Sequence, residues 1–144
     1  MDGKVLVGHD NGRIVTVNVD TEEEIIHGVS HHDGECWGLE VLPESGTFLT
    51  CGDDNEFMEI SVFDKKVLRT GYVWLPEYNN GKAYETTKIR STASTMCQFP
   101  AHQQGRAITY SKLHGHVAVA NNQGDLVIFS YSDFTQVVSK FKHP

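Results

Sequence analysis

Residues 31–36 crowd together side chains that bind metals and move protons: His31, His32, Asp33 and Cys36. Imidazole, carboxylate and thiolate are the usual ligands of zinc, and bound zinc turns its water into a hydroxide able to hydrolyse. A metal-dependent hydrolase using His31, His32 and Asp33 is therefore the enzymatic reading open to this chain. Such a site draws on a second ligand cluster, and none with matched spacing is present. Asp53-Asp54 is the other candidate pair. Acid–base catalysis needs two carboxyls whose environments separate their pKa values, whereas adjacent aspartates on a tight turn usually shape the turn. Ser111 and Ser130 lack a Gly-x-Ser-x-Gly elbow, and no glycine-rich phosphate loop occurs. His114-Gly115-His116 has the composition of a hairpin tip. No catalytic residue, metal or cofactor is assigned.

The elements that must carry these residues are strands. Val, Ile, Phe, Tyr and Thr sit in short runs broken by Gly, Asn and Asp, and no long window has helical spacing. One pattern recurs. Val5-Leu6-Val7-Gly8-His9-Asp10-Asn11-Gly12 is a β-run entering a tight turn. Leu49–Asn55 repeats it, and Val117–Gly124 repeats it again. Gly, Asn and Asp tolerate the positive φ that short hairpins need. Each copy is followed by another β-run: Arg13–Val19, Met58–Phe63 and Leu126–Tyr131. Met58, Ile60 and Val62 alternate with Glu59 and Ser61. Leu126–Phe129 is apolar throughout, which suits a strand buried on both faces. Flanking strands are expected at Lys4–Val7, Glu24–Val29, Cys36–Val41, Lys66–Val73, Arg106–Tyr110 and Thr135–Phe141. In Cys36–Val41, strand alternation places Trp37, Leu39 and Val41 on one face. Four strands per roughly 40–45 residues is the signature of propeller blades.

The formal net charge is −7, from 19 acidic and 12 basic residues. A nucleic-acid partner needs a basic surface to displace counterions, and an anionic membrane needs one too. The densest basic spots, Lys65-Lys66 and Lys140–Lys142, are short, so neither partner is expected. The three cysteines, Cys36, Cys51 and Cys97, are widely spaced and make no disulfide framework. Cys36 and Cys51 read as small buried apolar groups in a reducing compartment. With no signal peptide and no spanning segment, a cytoplasmic location is expected.

His32-Asp33-Gly34-Glu35-Cys36-Trp37-Gly38-Leu39, followed by Phe48-Leu49-Thr50-Cys51-Gly52-Asp53-Asp54, resembles a WD40 repeat. More narrowly it is similar to the echinoderm microtubule-associated protein-like family, whose propellers carry a His, an acidic residue, Trp-Gly-Leu and Phe-Leu-Thr-Cys-Gly in that order. The similarity is fullest over His32–Asp54 and extends to Gln103–Lys142. It implies an all-β fold: a partial WD40 β-propeller of about three four-stranded antiparallel blades. It also implies a structural hydrogen-bond network in which Asp54 accepts from the His32 ring and His32 bonds the Thr50 hydroxyl. The Trp-Asp pair that names the repeat is replaced by Phe63-Asp64, so that network is one member short, and the other two copies lack the His.

The implied organisation is a partial blade over 1–30, a full blade over 31–74, an insert or long loop over 75–104, and a full blade over 105–144. Within the insert, Ser91–Thr95 is a candidate for phosphorylation. Trp74, Tyr78 and Tyr84 flank or occupy it and are candidate interface anchors, since aromatics on irregular surface segments carry binding energy. The implied function is a non-catalytic scaffold that binds other proteins, with tubulin or microtubules as the family's partners and a cytoskeletal or ciliary setting. The alternative is a WD40 adaptor of a ligase or trafficking complex. Microtubule surfaces are acidic, as is this chain, so direct lattice binding through it is electrostatically disfavoured. Two blades and a fragment do not close a propeller, so the chain reads as a proteolytic core or a partial gene product, with self-association through the exposed blade faces as a further expectation.

Overall fold

The computed structural model describes residues 3–26, 31–74 and 100–143. Tyr78, Tyr84, Cys97, Ser91–Thr95 and the end of the expected strand Glu24–Val29 lie outside the described residues. The rest is three antiparallel meanders. The first sheet is β1 (Lys4–Gly8), β2 (Ile14–Asn18) and β3 (Glu24–Ile26). The second is β4 (Cys36–Leu42), β5 (Thr47–Gly52), β6 (Glu56–Ser61) and β7 (Val67–Tyr72). The third is β8 (Gly105–Ser111), β9 (His116–Asn121), β10 (Asp125–Ser130) and β11 (Asp133–Lys142). A 3-10 turn, Ala101–Gln103, precedes β8.

The three central hairpins are built alike. The last pairs before each turn are Gly8 with Ile14, Cys51 with Phe57, and Ala120 with Leu126. Each turn then spends one residue in the left-handed region: Gly12 at φ 80°, Asn55 at 64° and Gly124 at 88°. Only residues tolerant of αL can stand there. This register equates Val5 with Phe48 and Val117. The sequence alignment of the copies had matched Val5 to Leu49, one residue away, and a one-residue slip in a strand exchanges its faces.

With the register fixed, each sheet has a leading face and a receiving face. Leu49, Cys51 and Phe57 of the second sheet lead into the core shared with the third sheet. That sheet receives them with Val117, Val119, Val127 and Phe129. The junction of the first and second sheets repeats the scheme. Ile14 leads, and Phe48, Met58 and Ile60 receive. β5 and β6 are thus buried on both faces. β10 is not: Val127 and Phe129 are buried while Leu126 is exposed, because no sheet among the described residues covers its second face. The expectation of two-sided burial fails there.

Trp37 also departs from expectation. Cys36 pairs with Gly52 and Gly38 with Cys51, so Trp37 is the extra residue of a bulge. A bulge reverses the alternation beyond it. Cys36 therefore shares the buried cluster with Leu39, and Trp37 turns out to solvent, 51% exposed. Gly38 permits the close approach of the third sheet. A Cβ there would lie 2.7 Å from Cys51 Sγ and 3.1 Å from the Ile108 backbone nitrogen.

Candidate functional site

Strand direction gathers the chemistry at one end of the sheets. The starts of β4, β6, β8 and β10 share that end with the β5–β6 and β9–β10 turns. His32 approaches it from the segment before β4 and is 0% exposed. Its Nδ1 lies 2.8 Å from Asp54 Oδ1, and its Nε2 lies 3.2 Å from Thr50 Oγ1. Asp54 also accepts the Asp33 N–H at 2.8 Å and the Glu56 N–H at 3.3 Å. Thr50 Oγ1 lies 3.0 Å from Cys36 Sγ. With the ring proton on Nδ1, one chain satisfies every group: Cys36 donates to Thr50, Thr50 to Nε2, and Nδ1–H to Asp54. The structure brings His32, Thr50 and Asp54 together, and Cys36 is a fourth member that the sequence did not reveal. Phe63 takes no part and is 85% exposed.

This geometry removes the ligand on which the hydrolase reading turned. Both His32 nitrogens are engaged, which leaves no lone pair for a metal. Among the described residues, no three His, Cys, Asp or Glu side chains are placed to share an ion. Burial drives the Cys36 thiol up to about 11 and the Cys51 thiol up to about 12, so neither is a nucleophile at neutral pH. Asp53 and Asp54 do not act as a pair either. Asp54 turns inward to His32, and Asp53 turns toward Trp37 and Arg106.

Those last contacts form the outer layer of the same end. β8 bulges as β4 does: Gly105 pairs with Asn121 and Ala107 with Ala120, which makes Arg106 the extra residue. Consecutive sheets therefore project Trp37 and Arg106 from equivalent positions, and the guanidinium lies 4.6 Å over the indole. Asp53 holds both, accepting from Trp37 Nε1 at 3.1 Å and from an Arg106 terminal nitrogen. Arg106 also donates to Gln104 Oε1 at 2.9 Å. Beside this platform, Trp74 is half-buried. The Asn55 side chain accepts its N–H at 2.9 Å and donates to its carbonyl at 3.3 Å, and its ring meets His102 edge-on at 4.6 Å. The connection over residues 75–99 leaves after Trp74.

The ciliary WD repeat-containing protein ctxp80 of Euplotoides octocarinatus is 32% identical to this chain over 128 residues. Those residues make up 88% of the chain and 16% of that protein. The chain is built of WD40-type repeats. It spans a small part of its ciliary relative, and no family model matches it.

The WD40-type blades are also tied together below the platform, through a group the sequence did not single out. Glu59, on the leading face of the second blade, is buried. It accepts from Arg69 Nε at 2.9 Å, from Thr47 at 2.8 Å and from Tyr131 of the third blade at 2.6 Å. Arg69 lies 4.0 Å over the Phe134 ring and 4.6 Å over that of Tyr131. Burial pushes the Glu59 carboxyl up, but the hydrogen bonds from Tyr131, Arg69 and Thr47 outweigh it and hold the group below its usual value.

Proposed function

We propose that this WD40-type segment is a non-catalytic scaffold that binds other proteins through the end carrying Trp37, Arg106 and Trp74, within a cytoskeletal, microtubule-associated protein of the cilium. The observation that carries the reading is Trp37. A large aromatic ring stands half in solvent, yet its N–H and both its neighbours are fixed in advance. An ordered Trp–Arg pair loses little entropy on binding, and Trp and Arg dominate interface energetics. The repeat type supports a protein partner. The ciliary name of the relative and the similarity to the echinoderm microtubule-associated protein-like family support the cytoskeletal setting. The net charge of −7 favours attachment through an intermediary over direct contact with an acidic lattice.

Affinity capture from ciliary extract with wild type and Trp37→Ala tests the surface. Trp37 is exposed, so the substitution removes a cation–π contact worth about 0.5–1 kcal/mol together with the hydrogen bond to Asp53, and leaves the fold intact. Loss of the captured proteins with an unchanged fold is the expected result, and identical capture by both forms contradicts it. Co-sedimentation tests the setting. The chain is expected to pellet with microtubules when ciliary extract is present. If it stays in the supernatant under all conditions, the adaptor alternative replaces the cytoskeletal reading.

A further inference from the structure

We infer that the groove between the second and third blades, at the end of the sheets opposite Trp37, is a docking site for an extended segment of another protein that carries an arginine or lysine beside an apolar side chain. The inference rests on this junction alone, and not on the Trp37 surface or the cytoskeletal setting.

The groove opens where β4 and β8 end. It has a volume of about 460 Å3, and Pro43, Tyr110 and Tyr131 line it together with Glu40, Glu44 and Lys112. The two sheets that wall it are joined by their shared core, so the groove belongs to the junction and to neither outer face.

Its aromatic wall is fixed in advance. Tyr131 donates its hydroxyl to Glu59 at 2.6 Å, and its carbonyl accepts from Arg69. Tyr110 packs against it with ring centroids 4.7 Å apart. Ordered aromatics lose little entropy when a partner covers them.

Charge selects the partner. Glu40 is half-buried, yet among the described residues its carboxylate takes only the Thr109 hydroxyl, at 3.3 Å. Glu44 is held by Lys112 at 2.6 Å, in a pair whose side chains are 74% and 70% exposed. A pair so exposed is readily exchanged for another cation. The charged lining is thus two carboxylates against one ammonium, set beside aromatic rings. The protein already fills such a setting once: the Arg69 guanidinium lies over the Tyr131 ring and pairs with Glu59. A partner's cation between Tyr110 and Glu40 repeats that arrangement, with its apolar neighbour against Pro43.

Amide-resolved NMR titration of the isotope-labelled full chain tests this with a blocked pentapeptide, one central arginine between leucines. The same peptide with glutamate in place of arginine is the control. The arginine peptide should give saturable shifts at Glu40, Tyr110 and Tyr131, and the control should not. Glu40→Gln keeps an acceptor for Thr109 but loses the charge, so it should weaken binding about fivefold. Lys112→Ala vacates Glu44 and should tighten binding about twofold, a gain that a merely structural groove would not show. Trp37→Ala should bind the peptide as wild type does, so failure here is distinct from failure of the Trp37 surface. No saturable shift at millimolar peptide, equal response to both peptides, or shifts confined to the Trp37 end overturns the inference. Wild-type affinity in Glu40→Gln also overturns it. If that variant loses its native spectrum, Lys112→Ala decides alone, because Lys112 is exposed, and unchanged or weaker binding then counts as refutation.

Discussion

His32→Ala measures how much the buried hydrogen-bond chain contributes to stability. The substitution removes a ring that is 0% exposed and bonded at both nitrogens. The bond to Asp54 involves a carboxylate, and loss of such a bond costs about 1.5–3 kcal/mol. Asp54 keeps its two backbone donors and Thr50 keeps Cys36, so neither is stripped of every partner. The vacated ring volume adds a cavity term of about 1 kcal/mol in a site where backbone packs closely on both sides. The sum is about 3 kcal/mol, or about 6–12 °C in the thermal midpoint of a chain of this size. Urea denaturation followed by circular dichroism gives the free energy directly. A double-mutant cycle with Asp54→Ala should return a coupling of about 1–2 kcal/mol. Unchanged stability, or strict additivity of the two substitutions, would refute the reasoning.

Other outcomes follow from the same contacts. Glu59 has a folded pKa below its ordinary 4.5, so its ionised form favours the folded state. That contribution is complete above the ordinary value and is lost as pH falls through the lower folded value. Between about pH 6 and pH 3, wild type should therefore lose more stability than Glu59→Gln, as read by denaturant titration. Cys36 and Cys51, with thiols raised to about 11 and 12, should resist a thiol reagent at pH 8 in the native protein and react fully once it is unfolded. Gly38→Val should cost about 1–3 kcal/mol, because its side chain would enter the space held by Cys51 and the Ile108 backbone. Reaction of both thiols at native rates, or a Gly38→Val protein as stable as wild type, would count against the packing described.

Much of the fold could be read in the sequence because short apolar runs and αL-tolerant turns are local signals. Gly12, Asn55 and Gly124 mark the same point in three hairpins. The meeting of His32, Thr50 and Asp54 could be anticipated only from the resemblance, since nothing local ties residues 18 and 22 positions apart. What stayed hidden depends on register. The bulges that turn Trp37 and Arg106 outward follow from how β4 meets β5 and β8 meets β9, and alternation alone placed Trp37 on the wrong face. The clue was Gly38 beside it: a glycine inside a strand marks a bulge or a close backbone approach. Glu59 was hidden for another reason. Its donors Arg69 and Tyr131 lie 10 and 72 residues away, so its alternation with Met58 and Ile60 carried no sign that it is buried and paired.

Everything at the end that carries Trp37 and Arg106 depends on separate sheets stacking so that two bulges come side by side. Proton–proton contacts in solution report this most directly. The Phe57 and Phe129 rings, with centroids 4.6 Å apart across the junction of the second and third blades, should give strong cross-peaks. Backbone cross-strand contacts should stay within β1–β3, β4–β7 and β8–β11. Continuous backbone pairing from β3 into β4 or from β7 into β8, as in one curved sheet or a barrel, would contradict the account.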